Sequence, residues 1–361
     1  MIPYGEYPDL SGVRRALVVK LRHHGDVLLA SATFAALKRA LPQAEIDAYI
    51  YRDTLPMLEG HPAITGFHLY DAKWKDLPTI ERVRRELDHL RGIRAAGYDL
   101  AVNLTEGDRG AIAARVSGAA VRVGWDPEGT GFKYKHKLYT HVTRRPKTPR
   151  HIVEQNLDCL RRIGIFPPLD ERTLHFHVPA AARGELEQRL LAAGTRPGEF
   201  VLVHPTSRWL FKCWPVEQVA RLIEALHASG RRVVLSAAPD EREMAMVAAL
   251  RKVCRAPVVD LAGRLDLKEF GALVEAASAV VCVDSLPLHL ASALQRPCVV
   301  LFGPSSELAW GPWRNPRAIV VAQEYSCRPC GLDGCGGSKV SDCLATLPVE
   351  PVQAALRKLL P

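Results

Sequence analysis

Two short segments carry the residue types that could hold and transfer a charged group. Lys20-Leu21-Arg22-His23-His24-Gly25-Asp26 follows the apolar run 16–19, and Val283-Asp284-Ser285-Leu286-Pro287-Leu288-His289 follows the apolar run 279–282. Each stands where a buried strand is expected to meet a helix. In an open α/β sheet, ligands collect beyond the carboxyl ends of the strands. One such loop in each half of the chain implies a cleft between two Rossmann-like domains, the arrangement of a two-substrate enzyme.

Asp26 has two readings. As the first acidic group of a helix it is a cap; facing a cleft it is a general base. Gly25 gives the backbone room to approach a ligand. His23 and His24 are loop polar residues or contacts to a phosphate or sugar. A third segment, His204-Pro205-Thr206-Ser207-Arg208-Trp209-Leu210-Phe211-Lys212-Cys213-Trp214-Pro215, lies between a strand end and a helix with Pro215 in its first turn. Thr206, Ser207 and the N–H groups opening that helix suit a pyrophosphate. Lys212 could neutralise the charge that builds on a leaving phosphate. The alternative is a surface loop with packed aromatics, yet two Trp and a Phe around one Lys favour a working loop. Ser285 and the helix after it form another anion site. Asp284 is placed for sugar hydroxyls, and His289, one turn into the helix, reads by itself as structural.

What is missing narrows the chemistry. There is no Walker A motif, no G-x-G-x-x-G after the first strand and no H-E-x-x-H. No Asp-x-Asp occurs, so the usual carboxylate pair for a metal–nucleotide-sugar complex is lacking. Nucleotide binding is expected to rest on helix N-termini and on Lys or Arg, with no metal cofactor required.

The elements that must position these loops alternate. Strands are expected over 15–21, 45–51, 66–71, 98–104 and 119–125, with helices over 27–41, 79–96, 108–117 and 152–163. The second half restarts with strands 200–206, 232–237, 258–261, 279–284, 297–303 and 317–322. Its helices are 215–229, 241–253, 267–277, 288–294 and 349–360. Such alternation predicts parallel sheets covered by helices. The Pro-containing stretch 166–180 reads as a linker. It divides an N-terminal domain (1–165) from a C-terminal one (181–344), with a C-terminal helix over 345–361.

The bulk numbers agree with this plan. A chain of 361 residues suits two domains, and 48% apolar with 24% charged residues is a globular balance. The apolar stretch 27–37 is about half of a membrane span, and residues 1–12 lack the apolar core of a signal peptide, so a cytoplasmic protein is expected. The net charge of +9 fits an anionic membrane surface or a phosphorylated substrate. No recognised nucleic-acid motif accompanies it.

With these loops in place the chain resembles glycosyltransferase family 9, the lipopolysaccharide heptosyltransferases, and within it the heptosyltransferase III type. The resemblance rests on KLRHHGDVLL (20–29), NLTEGDRGA (103–111), HPTSRWLFKCWP (204–215), DSLPLHLASAL (284–294), LFGPSS…WGPW (301–313) and CRPCGLDGCGGSKVSDCL (327–344), in the family's order. It implies a GT-B fold and an inverting transfer of heptose from ADP-heptose to a heptose of the lipopolysaccharide inner core. It further implies Asp26 as general base, Thr206, Ser207 and Lys212 at the donor phosphates, and Asp284, Ser285 and His289 in the donor-sugar loop. Gly263 would lie beside the adenine. One departure is Leu286-Pro287, where other members often carry Gly or another small residue.

The acceptor that the resemblance implies would carry phosphates and acidic sugars and sit on a membrane, so N-terminal basic and polar residues are candidates to meet it. These are Arg22, Arg52, Glu106, Arg109, Lys133 and Lys135, with Glu106 and Arg109 foremost because TEGDRG follows a strand end. Peripheral contact with an anionic membrane surface is expected to be loose, at about 1 kcal/mol per basic residue. Cys327, Cys330, Cys335 and Cys343, spaced x₂, x₄ and x₇, suggest a structural zinc more than disulfides. The rival readings are a GT-B transferase using another nucleotide sugar (heptosyltransferase I or II included), a nucleotide-sugar epimerase, and a non-enzymatic lipopolysaccharide-binding module.

Overall fold

The computed structural model describes residues 5–360. The chain forms two compact units, Met1–His177 and Val178–Pro361, dividing inside the stretch read as a linker. In unit 1 the strands are β1 (Arg15–Val19), β2 (Glu45–Tyr51), β3 (Gly66–Tyr70), β4 (Leu100–Asn103), β5 (Val121–Trp125) and β6 (His141–Thr143). Its helices are α1 (His24–Leu29), α2 (Ser31–Ala40), α3 (Thr79–Ala95), α4 (Asp108–Val116) and α5 (Ile152–Arg161). The strand order is β3-β2-β1-β4-β5-β6, with every pairing parallel.

Unit 2 repeats the plan. Its strands are β7 (Phe200–His204), β8 (Arg232–Leu235), β9 (Val259–Asp260), β10 (Ala279–Val283), β11 (Cys298–Phe302) and β12 (Ala318–Ala322), in the order β12-β11-β10-β7-β8-β9, again all parallel. Its helices are α6 (Ala180–Ala192), α7 (Val216–Ala228), α8 (Glu241–Val253), α9 (Leu267–Ala276), α10 (Leu286–Ala293), α11 (Glu307–Trp310), α12 (Asp342–Ala345) and α13 (Val349–Leu359).

The continuous apolar runs of the central strands follow from burial on both faces. In β1, Ala16, Leu17, Val18 and Val19 are all fully buried, as is all of β10 and β11. In unit 1, Ile93 of α3 and Ala111, Ala113 and Ala114 of α4 close over Leu17, Val19 and Ala101, while α2 packs against α5. Each Val or Leu so buried contributes about 1.5–3 kcal/mol. Gly97 (φ +69°) and Gly230 (φ +78°) stop α3 and α7 in the left-handed conformation that favours glycine. The C-terminal helix α13 is part of unit 2, packing on α7, β11 and β12.

Four expectations change. The single helix expected over 27–41 is two, broken at Ala30, whose N–H is shared between the carbonyls of Asp26 and Val27. Ser31 then turns its hydroxyl to accept the N–H of His175 at 3.0 Å. Strand β6 was not expected: at three residues it carries no periodic pattern. Helix α6 was also missed, beginning where the linker was thought to end. Pro179 is its N-cap and its buried stripe is only Ala182, Leu186 and Leu190. Helix α10 begins at Leu286, two residues earlier than expected, with Pro287 in its first turn, where the missing N–H costs nothing.

Candidate active site

A parallel sheet whose order reverses has one point where neighbouring strands send their connections to opposite sides, and ligands bind there. In unit 1 that point lies between β1 and β4, in unit 2 between β7 and β10. Both sequence-read loops stand at these points.

In unit 1 the chain leaves β1 through Lys20–His23 and enters α1. His23 holds the N-cap position without a capping side chain, so Asp26 is not the cap; it sits in the first turn. Gly25 lies within α1 and outside the left-handed region. The Asp26 carboxylate is mostly buried, with Arg22 Nε at 3.7 Å. His24 is engaged with the carbonyl of Asp53 at 3.0 Å. Beneath the loop, polar groups join β1 to β4. Leu21 N–H donates to Thr105 Oγ1 (2.8 Å), Thr105 N–H to Asn103 Oδ1 (3.0 Å) and Asn103 Nδ2 to Tyr139 OH (2.6 Å). Lys20 Nζ is buried and donates to Asn156 Oδ1 (3.0 Å) and to the Leu104 carbonyl (3.3 Å). Burial pushes the Lys20 ammonium below the usual lysine range, and the charge of Asp26 works against that shift.

In unit 2 the chain leaves β7 at His204 and passes through a short 3₁₀ turn, Leu210–Lys212, into α7. Lys212 Nζ lies 2.6 Å from Asp284 Oδ2, which follows β10. The Asp284 side chain is 4% exposed and that of Lys212 20%. Ser285 is the N-cap of α10 with its hydroxyl uncommitted to capping; it reaches the Thr206 carbonyl at 3.5 Å. Lys212, Asp284, Ser285 and the Thr206–Ser207 turn therefore come together across the β7/β10 switch.

The Thr206 hydroxyl does not face that assembly. It is buried and donates to Glu243 Oε2 at 2.6 Å; the same oxygen accepts Ala238 N–H at 3.2 Å. His204 is buried too, its Nδ1 2.9 Å from Ser236 Oγ, and burial pushes its imidazole down to about 3. Burial likewise pushes the Cys213 thiol up to about 12. His289 is buried one turn inside α10. Gly263 adopts φ +68° and its N–H donates to the Ala237 carbonyl at 2.9 Å. An added Cβ would meet Met244 Sδ at 3.0 Å, so both backbone and space favour glycine there.

Comparison with known proteins decides what kind of enzyme carries this geometry. Residues 87–339 match glycosyltransferase family 9 (heptosyltransferase). The chain belongs to glycosyltransferase family 9. The lipopolysaccharide heptosyltransferase 3 of Escherichia coli is 34% identical over 94% of this chain and 98% of its own length. Among solved structures, the family 9 glycosyltransferase of Veillonella parvula superposes with a TM-score of 0.81 at 21% identity, over 96% of this chain and 97% of that one. The ADP-heptose lipopolysaccharide heptosyltransferase II of E. coli superposes with 0.74 at 23% identity, over 96% and 98%. The expected GT-B fold, with two Rossmann-like units, is therefore the fold of this family 9 glycosyltransferase, and the epimerase and binding-module readings fall away.

The acceptor candidates of the family 9 chain are dispersed over unit 1. Arg22 flanks Asp26. Arg109, at the start of α4, is locked by Glu86 Oε1 and Tyr70 OH, both at 2.9 Å, with its guanidinium 3.9 Å over the Tyr70 ring. Glu106 is paired with Arg145 at 2.6 Å. Lys135 is buried against Asp108 and the Glu106 carbonyl, so it braces its loop. Arg52 pairs with Asp71 at 3.6 Å, and Lys133 is exposed.

The four cysteines read as a possible structural zinc site, Cys327, Cys330, Cys335 and Cys343, do not form a ligand group. Among the described residues, no group of three or more His, Cys, Asp or Glu could hold a metal. Cys343 is buried in α12, while the other three are exposed. Cys335 Sγ accepts the Asp342 N–H at 3.4 Å.

Sequence reasoning missed Glu243, Thr105, Asn156 and the structural part played by Lys20. Glu243 sits in the first turn of α8 behind a capping Asp240, where an acidic residue signals only a helix start. The structure makes it the brace of the loop that follows β7. Thr206→Val is expected to leave Glu243 buried with one donor fewer and to cost about 1–3 kcal/mol. Thermal denaturation checks this: a wild-type melting temperature with an altered donor KM would mean that the hydroxyl serves the ligand instead.

Proposed function

We propose that the protein transfers heptose from ADP-heptose to a heptose of the lipopolysaccharide inner core, with inversion at the anomeric carbon. The likeness to E. coli lipopolysaccharide heptosyltransferase 3 along nearly the whole chain carries the reading, and the Lys212–Asp284 pair at the unit 2 switch point supports it. Unit 2 binds the donor. The N–H groups opening α10, Ser285, the Ser207 turn and Lys212 receive the diphosphate, and Asp284 holds Lys212 and meets a sugar hydroxyl. Gly263 lets the chain pass close to the adenine. Unit 1 binds the acceptor, with Arg22 beside the reacting group.

Asp26 takes the proton of the acceptor hydroxyl as its oxygen attacks the anomeric carbon from the face opposite ADP. The bond to the diphosphate oxygen breaks, its electron pair leaves with ADP, and Lys212 stabilises the charge that appears there. Retention would need a carboxylate nucleophile at the anomeric carbon; Asp284, the carboxylate of the donor loop, is engaged by Lys212. Side chains and helix ends, without a cofactor, balance the diphosphate in this scheme. The acceptor is lipid-borne, so the enzyme works against the anionic cytoplasmic face of the inner membrane. No helix among the described residues is long and apolar enough to cross a membrane.

The test is ADP release from ADP-heptose with a series of truncated core acceptors. Release that requires an acceptor already carrying two heptoses, with a product of inverted configuration by NMR, is the expected result. Release with a less substituted core would move the acceptor assignment, and release only with another nucleotide sugar would overturn the donor.

A further inference from the structure

Unit 1 carries an apolar and basic face that the transfer chemistry does not use. Helix α3 buries only Ile93. Ile80, Val83 and Leu87 lie at i, i+3 and i+7, one stripe of the helix, and are 86%, 48% and 47% exposed. Helix α4 packs beside α3 and adds the exposed Ile112. On the far side of α4, the turn before Lys135–Leu138 displays Phe132 and Tyr134, 41% and 54% exposed. Single exposed apolar residues are ordinary; six on three successively packed elements make a candidate contact surface.

Basic residues surround that surface. Residues 130–150 contain seven Lys or Arg and no Asp or Glu, in a chain whose net charge is +9. Lys135, Arg145 and Arg150 are held in ion pairs within the unit. The exposed Lys133, Lys137 and Lys147 have no acidic partner among the described residues. Lys133 and Lys137 stand 5.0 and 4.5 Å from the centre of the Tyr134 ring. Tyr134 itself is held at φ +65°, a left-handed conformation a bulky residue rarely takes, while the buried Lys135 next to it anchors the turn to α4. The exposed side of α3 adds Arg82, while Arg84, Arg85 and Arg91 there pair with Asp88 and Glu81 of the same helix.

We infer that this face, formed by the exposed stripe of α3, Ile112 and the 132–137 turn, is the surface by which the enzyme docks on an anionic lipid bilayer. Aromatic and aliphatic side chains among Lys and Arg suit an interface where acyl chains begin below acidic headgroups. A second copy of the chain fits less well. A two-fold contact would set the patch against itself and oppose like charges. The inference deepens the proposed function and rests on it for purpose. The start of α3, the 126–137 segment and Asp26 all follow carboxyl ends of strands in one parallel sheet, so docking would bring a lipid-borne acceptor to the edge that carries the base.

The experiment is co-sedimentation of the full chain with vesicles of phosphatidylcholine alone or with phosphatidylglycerol, at about 0.15 M salt. Wild type is expected to bind only the anionic vesicles. The combined variants Ile80→Ser/Val83→Ser/Leu87→Ser and Phe132→Ser/Tyr134→Ser are each expected to bind at least about tenfold more weakly, since a serine in place of each apolar side chain removes apolar surface that docking would bury. Lys137→Glu/Lys147→Glu is expected to weaken binding and flatten its salt dependence. All three should keep the wild-type melting temperature and wild-type ADP release on a delipidated core oligosaccharide. Wild type that ignores anionic vesicles, or variants that bind as well as wild type, would overturn the inference. So would a wild-type dimer that the α3 variant dissolves without any vesicle binding. Vesicle binding in a protein that releases no ADP with any acceptor would instead count against the transferase assignment.

Discussion

Asp26→Asn is expected to lower acceptor-dependent ADP release by about 10²–10⁴-fold, the usual contribution of a placed general base. The substitution keeps the size of the side chain and its place in the first turn of α1 and removes the proton acceptor together with the charge that faces Arg22 and Lys20. Binding of ADP-heptose, a matter for unit 2 in the proposed scheme, is expected to stay within about twofold of wild type, a shift of less than about 0.5 kcal/mol. The competing role is electrostatic: an acidic residue in a helix's first turn stabilises it by about 0.3–1 kcal/mol. The two roles leave different traces. Loss of the helix interaction would lower the melting temperature slightly and spare kcat; loss of the base would collapse kcat with little change in stability. A variant with full activity returns Asp26 to the helix.

The neighbours of Asp26 fix the loop that carries the proposed base. Helix α1 has only six residues, too short to be stable alone. Its entrance is fixed by the Leu21–Thr105 hydrogen bond and by Lys20 under the loop. The first contact ties the end of β1 to the segment after β4 across the switch point and the second ties it to α5, and the Asp26 backbone inherits their rigidity.

The fold was legible where period and punctuation agreed. The run Ala16–Val19 announced a strand buried on both faces, Gly97 and Gly230 announced helix ends, and the helix expected over 241–253 is α8 with its bounds intact. Helix α6 was not legible because three apolar contacts, at Ala182, Leu186 and Leu190, are a faint stripe after a proline-containing stretch. The break at Ala30 was hidden because apolar residues continue through it; the turn is set by hydrogen bonds to Asp26 and Val27 that no pattern announces. The site showed the same division. Spacing placed Asp26, Lys212, Asp284 and Ser285 at strand ends, and the structure brings the last three together. Direction was not legible: Thr206 turns inward because Glu243, 37 residues away, waits for its hydroxyl. The four C-terminal cysteines show the limit of counting. Their spacing resembled a ligand set, yet Cys343 is buried while Cys327, Cys330 and Cys335 are exposed, and among the described residues no three or more side chains are grouped to hold a metal.

Lys212→Met is expected to reduce kcat by about 10²–10³-fold, the loss seen when one donor to a developing oxyanion is removed. The methionine retains the apolar stem and removes the charge. The difficulty is that Lys212 also holds Asp284, whose side chain is almost wholly buried. Removing one member of a buried pair leaves an uncompensated charge and costs up to about 3–5 kcal/mol, discounted here because the lysine keeps a fifth of its side-chain surface. Activity could then fall simply because unit 2 loosens. The double variant Lys212→Met/Asp284→Asn separates these effects. With the carboxylate neutralised, stability is expected to return most of the way to wild type while kcat stays low. Asp284→Asn alone is expected to raise the donor KM and retain more kcat than either lysine variant, because the ammonium remains to meet the leaving diphosphate. If the double variant recovers both stability and turnover, Lys212 serves only to hold Asp284, and the charge stabilising ADP departure must come from the N–H groups that open α10.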